Sequence, residues 1–242
     1  MWNELPPASR PPDRMPPSTD KPTMTAFEIF ELGDHALVAT AVDAISFEIQ
    51  RRIWQIAACA RQWPDVEEAI PGMNNLTLLF DPLVADLPRL RAALDAACAE
   101  PGGPVGDDPY ATHEVSVRYG GRDGPDLETV ARLADIPVDE VIERHSCVEY
   151  IVFFIGFQPG FAYLGGLDPR LATPRHKEPR LKVPAGSVGI GGSQTGVYPT
   201  ESPGGWQLIG RTAEVLFDPA RAVPARLSPG DRVRFVPTGP NR

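Results

Sequence analysis

The sequence predicts an α+β protein in which a small N-terminal α+β domain is followed by a C-terminal β-barrel. Residues 25–100 alternate strand-like and helix-like apolar patterns, and residues 101–112 interrupt them with Gly, Pro and Asp. Residues 113–242 then contain many short β-prone runs separated by turn residues, which is typical of a closed or nearly closed sheet. We therefore expect a tail at 1–24, an N-terminal domain at 25–100, a linker at 101–112 and a barrel domain at 113–242.

The N-terminal domain is predicted to follow a β-α-β-α order. Strand-like residues at 26–39 surround a turn at Gly33-Asp34, and residues 76–80 form a further predicted strand. Two helices are predicted from apolar residues spaced three and four apart, and Trp63-Pro64 ends the first helix. The two apolar stripes are Ile49, Ile53, Ile56, Ala57 and Ala60, then Leu83, Leu87, Leu90, Leu94 and Cys98.

The barrel domain is predicted to begin with a strand at 115–119, followed by two short helices. Asp126 and Asp139 lie near the two helix starts, where a carboxylate interacts favourably with the helix dipole. The apolar run 150–157 predicts a strand that is buried on both faces. The remaining predicted strands are 181–183, 187–191, 206–209, 214–217 and 232–236.

Composition excludes several classes of function. The net charge of −9 argues against a nucleic-acid partner, because a phosphate-binding surface needs clustered Lys and Arg. The apolar run 150–157 is too short to span a membrane, and residues 1–24, with seven prolines, lack the apolar core of a signal peptide and are expected to be disordered. Three scattered cysteines without a CxxC motif indicate a reduced, cytoplasmic protein, and no His and Cys spacing indicates a metal site.

Residues 155–212 are rich in Gly and Pro, so we expect short strands joined by shaped turns that face a ligand or a partner. Arg175, Arg180 and Arg211 carry planar guanidinium groups that suit a carboxylate or phosphate. The same groups suit turn carbonyls, in which case they hold the loops in place. The sequence leaves these two interpretations open.

Three further residues are candidates for a direct role in a site. His145 lies on the apolar face of its predicted helix and is either a core histidine or a proton carrier near the barrel mouth. His176 lies between two cations and is expected to be an exposed loop residue. Trp206 follows two glycines and either stacks on a ligand or fills the barrel, as large aromatics often do.

Five stretches carry a resemblance to a known family. They are GPDLETVA (124–131), EVIERHS (140–146), IGFQPGFAYLGGLD (155–168), PRLKVPAGSVGIGGSQTGVYPTESPGGWQLIGRT (179–212) and LSPGDRVRF (227–235). These stretches resemble the KipI / allophanate hydrolase subunit 1 family, whose bacterial members include the B subunit of the ATP-dependent 5-oxoprolinase. The resemblance covers about residues 26–237, is most specific at 155–212, and is weakest at 35–50 and 72–75.

The resemblance implies a cyclophilin-like C-terminal barrel and an obligate companion polypeptide. The implied companion is the C subunit, of the KipA / allophanate hydrolase subunit 2 type, and a LamB/YcsF-type protein completes the 5-oxoprolinase. ATP is implied as a co-substrate, with or without Mg²⁺, because the unstrained lactam of 5-oxo-L-proline needs activation before it opens to glutamate. No protein metal site is implied.

Under this enzyme hypothesis the catalytic residues are His145, Arg180 and Arg211. Either arginine clamps the substrate anion, and the histidine carries a proton. Backbone N–H groups of the Ala-Gly-Ser turn and the Gly-Gly pair stabilise developing oxygen charge, and the glutamine amide reads the lactam N–H and C=O together. The predicted substrate-binding residues are Ala185, Gly186, Ser187, Gln194, Tyr198, Gly204, Gly205 and Trp206.

Two other functions remain open from the sequence. A KipI-type regulatory inhibitor would bind a sensor histidine kinase in the same groove, with Phe161, Tyr163 and Trp206 as apolar anchors. An allophanate- or urea-linked hydrolase component would need a different partner. Lactam-dependent ATP hydrolysis beside a KipA-type protein distinguishes the first hypothesis from both.

Overall fold

The N-terminal domain is a four-stranded antiparallel sheet in the order β1-β2-β4-β3, with two helices packed on it. The computed structural model describes residues 26–101 and 110–239, so the predicted tail and most of the predicted linker lie outside the described residues. The elements are β1 (Phe27–Glu31), β2 (Ala36–Ala41), α1 (Phe47–Ala60), β3 (Glu68–Pro71), β4 (Asn75–Leu79) and α2 (Leu87–Ala99).

Local sequence explains where the two N-terminal helices begin. Ser46 caps α1 by accepting a hydrogen bond from the N–H of Ile49 at 3.2 Å, and Asp86 caps α2 through the N–H of Arg89 at 3.1 Å. Because α2 begins at Leu87, the predicted stripe residue Leu83 lies before the helix and is exposed. The sequence prediction also missed β3, whose four residues include Pro71.

The C-terminal domain is a closed barrel of seven strands in the order β10-β7-β6-β13-β5-β12-β9, with two helices and a short 3₁₀ helix between strands. A separate two-stranded sheet is formed by β8 and β11. The elements are β5 (Thr112–Tyr119), α3 (Leu127–Ala134), α4 (Val138–Ser146), β6 (Glu149–Ile155), β7 (Ala162–Gly165), the 3₁₀ helix (Pro169–Leu171), β8 (Arg180–Val183), β9 (Ser187–Gly191), β10 (Gln194–Val197), β11 (Ser202–Gly204), β12 (Gln207–Arg211) and β13 (Arg232–Pro237).

The predicted fold class is confirmed, with two corrections within the barrel. Residues 214–217 do not form a strand, because Glu214 turns its carboxylate to the N–H of Ser116 and to Arg226 and only Phe217 makes an isolated bridge. Strand β6 is not buried on both faces throughout. Tyr150 and Val152 face the core of the barrel, whereas Phe153 is buried towards the N-terminal domain and the other residues of the strand are half-buried.

The two domains meet at a bulge in β6. The pairing of β6 with β7 shifts register between Val152 and Phe154, which frees the carbonyl of Phe153 from the ladder. That carbonyl accepts two hydrogen bonds from α1, from Nε2 of Gln50 at 3.1 Å and from Nε1 of Trp54 at 2.7 Å. No helix in the described ranges is long and apolar enough to cross a membrane.

Candidate functional site

The outer face of strands β7, β10 and β9 presents glycine where other residues would project side chains. Successive residues of a strand point to opposite faces, and the neighbours of these glycines lie in the barrel core. An added Cβ at Gly191 would lie 2.5 Å from Nε1 of Trp206, and one at Gly165 would lie 2.2 Å from the ring of Phe153. Aromatic rings therefore lie directly on the backbone of this glycine floor, which we define as Gly165, Gly189, Gly191 and Gly196.

One end of the glycine floor is filled by a small aromatic core. Trp206 is buried, and the guanidinium carbon of Arg175 lies 5.8 Å from the centroid of its ring. The hydroxyl of Tyr198 lies against Gly204, where an added Cβ would approach it to 2.4 Å. This arrangement favours the filling role for Trp206. The cluster consists of Phe161, Val183, Tyr198, Trp206 and Leu208, with Tyr163 at its edge.

A charged cluster of three residues borders this aromatic core. Arg180 donates from Nη2 to Oδ1 of Asp126 at 2.7 Å, and its Nη1 lies 2.9 Å from Nε2 of His176. Asp126 also accepts the backbone N–H of Leu208 at 2.7 Å. Gly205 fixes the histidine from the other side, since its carbonyl accepts the N–H of His176 at 2.7 Å. The predicted clamp Arg180 is thus already paired with a carboxylate, with part of its donor fork left over.

The carboxylate of Asp126 is the centre of this charged cluster. Burial alone would raise its pKa, but the hydrogen bonds from Arg180, Leu208 and His176 together outweigh burial, so the pKa of Asp126 lies below its usual range. Asp126 was predicted only as a helix-start residue, and its side chain makes no cap hydrogen bond to α3. Sequence reasoning missed its role because its partners lie 50 to 82 positions away in the chain.

The Nε2 atom of His176 has two neighbours that require different protonation. It lies 2.9 Å from the donor Nη1 of Arg180 and 3.3 Å from Oδ2 of Asp126. A neutral ring protonated on Nδ1 accepts from Arg180, whereas a ring protonated on Nε2 donates to Asp126. The charged cluster can therefore exist in two hydrogen-bonding arrangements, which differ in the ring nitrogen of His176 that carries the proton.

Two of the three backbone donors in the predicted oxyanion turn at Ala185, Gly186 and Ser187 bond within the protein. The N–H of Gly186 donates to the carbonyl of Tyr198 at 2.7 Å, and that of Ser187 donates to Pro184 at 3.2 Å. Gly186 has φ of +81°, and an added Cβ would lie 2.1 Å from the carbonyl oxygen of Thr212, so only glycine fits. These two amides join turns to one another and do not form a donor pair for a ligand oxygen.

Arg211 holds the same turn in place. Its Nε donates to the carbonyl of Ala185 at 2.9 Å, and its backbone pairs with Ser187 across β12 and β9. The sequence leaves two roles open for this arginine, an anion clamp or a bond to a turn carbonyl. The observed contact is the bond to a turn carbonyl. Arg211 therefore anchors a turn, whereas Arg180 binds the carboxylate of Asp126.

His145 lies inside the barrel and is fully buried. Its Nδ1 is 2.8 Å from the hydroxyl of Tyr119, and its Nε2 is 2.9 Å from Oγ1 of Thr195. Thr195 donates its own proton to the carbonyl of Gly189 at 3.0 Å, so it must accept from Nε2–H, and Tyr119 must donate to Nδ1. Burial lowers the pKa of His145 to about 3, in agreement with this neutral ring.

The open end of the glycine floor is a cleft between the two domains, with a volume of about 350 Å³. Gln194 of β10, which pairs with Gly191 of β9, is the predicted site residue that lines this cleft. We call this space the interdomain cleft. Its lining residues are Ile45, Ser46, Phe47 and Met73 of the N-terminal domain, with Glu149, Ile151, Phe153, Gly165, Gly166, Leu167, Ser193 and Gln194 of the barrel.

The predicted site residues therefore divide into four groups. Those near the charged cluster and aromatic core form the largest group. Gln194 lies at the interdomain cleft along the same outer face, the turn residues form a third group with Arg211, and His145 is on the opposite, inner face. The largest group is Arg180, Tyr198, Gly204, Gly205 and Trp206.

The chain is similar to known proteins over most of its length. A family model described as carboxyltransferase domain, subdomain C and D, matches residues 27–227. The B subunit of 5-oxoprolinase from Escherichia coli O157:H7 is 50% identical over 211 residues, which are 85% of this chain and 94% of that protein.

Two solved structures resemble the whole two-domain arrangement. The protein TTHA0988 is 36% identical with a TM-score of 0.72 over 85% of this chain, and the match spans 40% of that longer chain. The K. lactis urea amidolyase is 21% identical with a TM-score of 0.78 over 92% of this chain and 15% of that chain. The second similarity shows a shared fold.

Proposed function

The chain belongs to the carboxyltransferase subdomain C and D family, and on that premise we propose that it is the B subunit of an ATP-dependent 5-oxoprolinase. The observation that carries the proposal is the 50% identity with the B subunit of the E. coli 5-oxoprolinase over 94% of that protein. The proposed reaction is hydrolysis of the lactam of 5-oxo-L-proline to glutamate.

The protein is proposed to act only in a complex. The related TTHA0988 chain carries a region like this one in 40% of its length, so further polypeptide accompanies the region in that relative. A KipA-type C subunit supplies such a companion in trans, and a LamB/YcsF-type protein completes the enzyme. Half of the site is then contributed by a second polypeptide, which fits a charged cluster in which His176 and Arg180 are only half-buried.

The chemistry requires a held anion, an activated lactam carbonyl oxygen and water. ATP supplies the activation by transferring its γ-phosphoryl group to that oxygen, and ADP leaves. Water then adds to the carbonyl carbon, inorganic phosphate leaves, and the lactam C–N bond breaks with the nitrogen protonated. We assign this chain the task of binding and orienting the substrate, with Arg180 and Arg175 facing its negative charge and Gln194 facing its amide.

Reconstitution tests the proposal. The full chain is combined with its KipA-type and LamB/YcsF-type companions, and ATP hydrolysis and glutamate formation are measured with 5-oxo-L-proline, allophanate and urea. We expect ATP hydrolysis that depends on 5-oxo-L-proline and on every component. Turnover of allophanate or urea instead would assign a urea-linked hydrolase, and tight binding to a sensor histidine kinase without turnover would assign a KipI-type inhibitor.

Arg180→Lys tests the clamp in the same complex. Lysine keeps the positive charge but loses the two-pronged geometry, so we expect KM for 5-oxo-L-proline to rise at least tenfold while the protein stays folded. Lys182→Ala is the matched control, because Lys182 lies two positions away and its side chain is exposed beside Glu201. An unchanged KM for Arg180→Lys would remove the clamp from the proposal.

A further inference from the structure

We propose that the interdomain cleft is the pocket for the ring of a small cyclic amide, and that Met73 and Gln194 contact that ring. The class of ligand rests on the proposed function, whereas the pocket rests on the geometry of the cleft. The inference gives the N-terminal domain a direct part in substrate choice, because one wall of the cleft belongs to it.

The size and lining of the cleft suit a compact, mostly apolar ligand. A volume of about 350 Å³ lies at the lower end of small-molecule sites. Ile45, Phe47 and Met73 form the N-terminal wall, and Ile151 and Phe153 lie on the barrel side. Six of the twelve lining residues carry large apolar side chains and two are glycines, so few polar groups remain to orient a ligand.

Gln194 supplies the polar group that an amide ring needs. Its Nε2 is buried and has no hydrogen-bond partner in the described ranges 26–101 and 110–239. A primary amide offers both donors and an acceptor, and a lactam presents one N–H and one C=O on the same edge. The two groups can form a paired set of hydrogen bonds, which gives the unpaired Nε2 an acceptor after a small rotation of the side chain.

The N-terminal wall is held rigidly against the barrel. Gln50 is 1% exposed, and its Nε2 bridges the carbonyls of Gly72 and Phe153, each at 3.1 Å. Its Oε1 accepts the N–H of Asn74 at 3.4 Å, on the other side of Met73. One buried side chain therefore fixes the turn that carries Met73 and the strand that carries Phe153, so the width of the cleft is set before any ligand binds.

The carboxylate in the lining does not repel an anionic ring substituent. Glu149 pairs with Arg232 at 2.5 Å and with Arg234 at 2.6 Å, so the three side chains together carry a net positive charge. These hydrogen bonds also keep the pKa of Glu149 below its usual range. The two guanidinium groups therefore offset the negative charge that Glu149 brings to the lining of the cleft.

Binding to the full chain tests the pocket. Affinities of 5-oxo-L-proline, pyrrolidin-2-one and L-proline are measured by ligand-observed NMR and calorimetry. We expect both lactams to bind and L-proline, which lacks the ring carbonyl, to bind at least tenfold more weakly. Met73→Trp fills the cleft and should abolish lactam binding, whereas Met73→Leu should retain it. Val223→Trp is the control, since Val223 is exposed and does not line the cleft.

Gln194→Met separates a ligand contact from a structural role. Methionine has a similar shape but no amide, so it removes the buried unpaired nitrogen. We expect lactam affinity to fall about tenfold while the melting temperature stays the same or rises. A lowered melting temperature with unchanged lactam affinity would show that Gln194 is structural and would contradict its place in the pocket.

The same variants in the reconstituted complex distinguish the pocket from the proposed function. If Met73→Trp leaves KM for 5-oxo-L-proline unchanged while the complex turns it over, the pocket is overturned and the function stands. If the chain binds pyrrolidin-2-one and Met73→Trp abolishes that binding, but the complex never hydrolyses 5-oxo-L-proline, the function fails and the pocket stands. The pocket is also overturned if the wild-type chain binds neither lactam and Met73→Trp leaves turnover by the complex unchanged.

Discussion

Two neighbouring polar residues lie on opposite faces of the barrel wall and differ in their hydrogen bonding. Thr195 faces inward, where its hydroxyl donates to Gly189 and accepts from His145, so it both donates and accepts within the core. Gln194, one residue earlier, faces outward to the interdomain cleft, and its Nε2 has no partner among the described residues. Of these two adjacent residues on β10, one has hydrogen-bond partners for its hydroxyl within the core, and the other has an amide nitrogen without a partner among the described residues.

This difference teaches which polar residues to associate with the fold and which with a ligand. A buried polar group without a partner costs about 1–3 kcal/mol, so one on a residue that lines a cleft is a candidate to receive its partner from a ligand. The inner network of Tyr119, His145 and Thr195 satisfies both ring nitrogens of the histidine. We therefore attribute it to stability, and we place the ligand on the outer face, between the charged cluster and the interdomain cleft.

His145→Phe would break the inner network and has the largest expected effect. The change leaves Tyr119 without its acceptor and Thr195 without its donor in a closed core, so we expect a loss of about 2–3 kcal/mol in the free energy of unfolding at pH 7. Turnover per folded complex should stay within twofold of wild type. A thousandfold loss of kcat in a folded complex would instead restore the proton-carrier prediction.

Acidification sharpens the same experiment. Since the pKa of His145 is lowered to about 3, the unfolded chain takes up a proton below about pH 6.5 that the folded protein does not. The wild-type protein should therefore lose up to about 1.4 kcal/mol per pH unit from this group as the pH falls from about 6.5 towards 3. His145→Phe should lack this component, so denaturant melts at several pH values should show the stability difference between the two proteins closing near about pH 5 and reversing at lower pH.

Arg180→Ala breaks the charged cluster on the outer side and has the next largest expected effect. Removal of the guanidinium leaves the carboxylate of Asp126, whose side chain is 8% exposed, with fewer donors. Because Arg180 itself is 32% exposed, we expect a loss of about 2 kcal/mol at pH 7, below the value for a fully buried pair. Chemical denaturation of the isolated chain measures it, with Lys182→Ala as the exposed control.

The pH dependence of that loss identifies Asp126 as its source. The pKa of Asp126 is lowered in the folded protein, so its contribution is present above about pH 4 and disappears as the pH falls through the lowered folded pKa. The difference between wild type and Arg180→Ala should shrink over the same range. A difference that stays constant as the pH is lowered through this range would mean that Arg180 stabilises through packing and not through its carboxylate partner.

The fold was predictable from local patterns, because most of its strands are short apolar runs bounded by turn residues. The prediction succeeded for α1 and β13, where period and turn chemistry agree. It failed at residues 214–217, where a short apolar run is overridden by the ion pair of Glu214 with Arg226. It also missed β7, β10 and β11, whose few residues carry too little pattern to stand out.

The site was less predictable, since its residues are joined by contacts that span the chain. The segment 155–212 was singled out from its composition, but Asp126, which holds Arg180, lies outside it. The interdomain cleft takes its N-terminal wall from 45–47 and Met73, within the two stretches where the family resemblance is weakest. No spacing rule connects those stretches to Gln194, because a bulge at Phe153 and the bonds of Gln50 bring them together.

Thr173→Val carries the smallest expected effect and tests the comparison at a single hydroxyl. Thr173 is 1% exposed, and its Oγ1 has no partner within the described parts of the chain, although its backbone pairs with Gly192. Valine has nearly the same shape and removes the unpaired group, so the free energy of unfolding should rise by about 0.5–1 kcal/mol. The matched change Thr195→Val should lower it instead, because His145 then loses the acceptor for its Nε2–H. A loss of stability in both variants would show that Thr173 has a bound water or ligand as its partner, and would place a further polar contact at the end of β9.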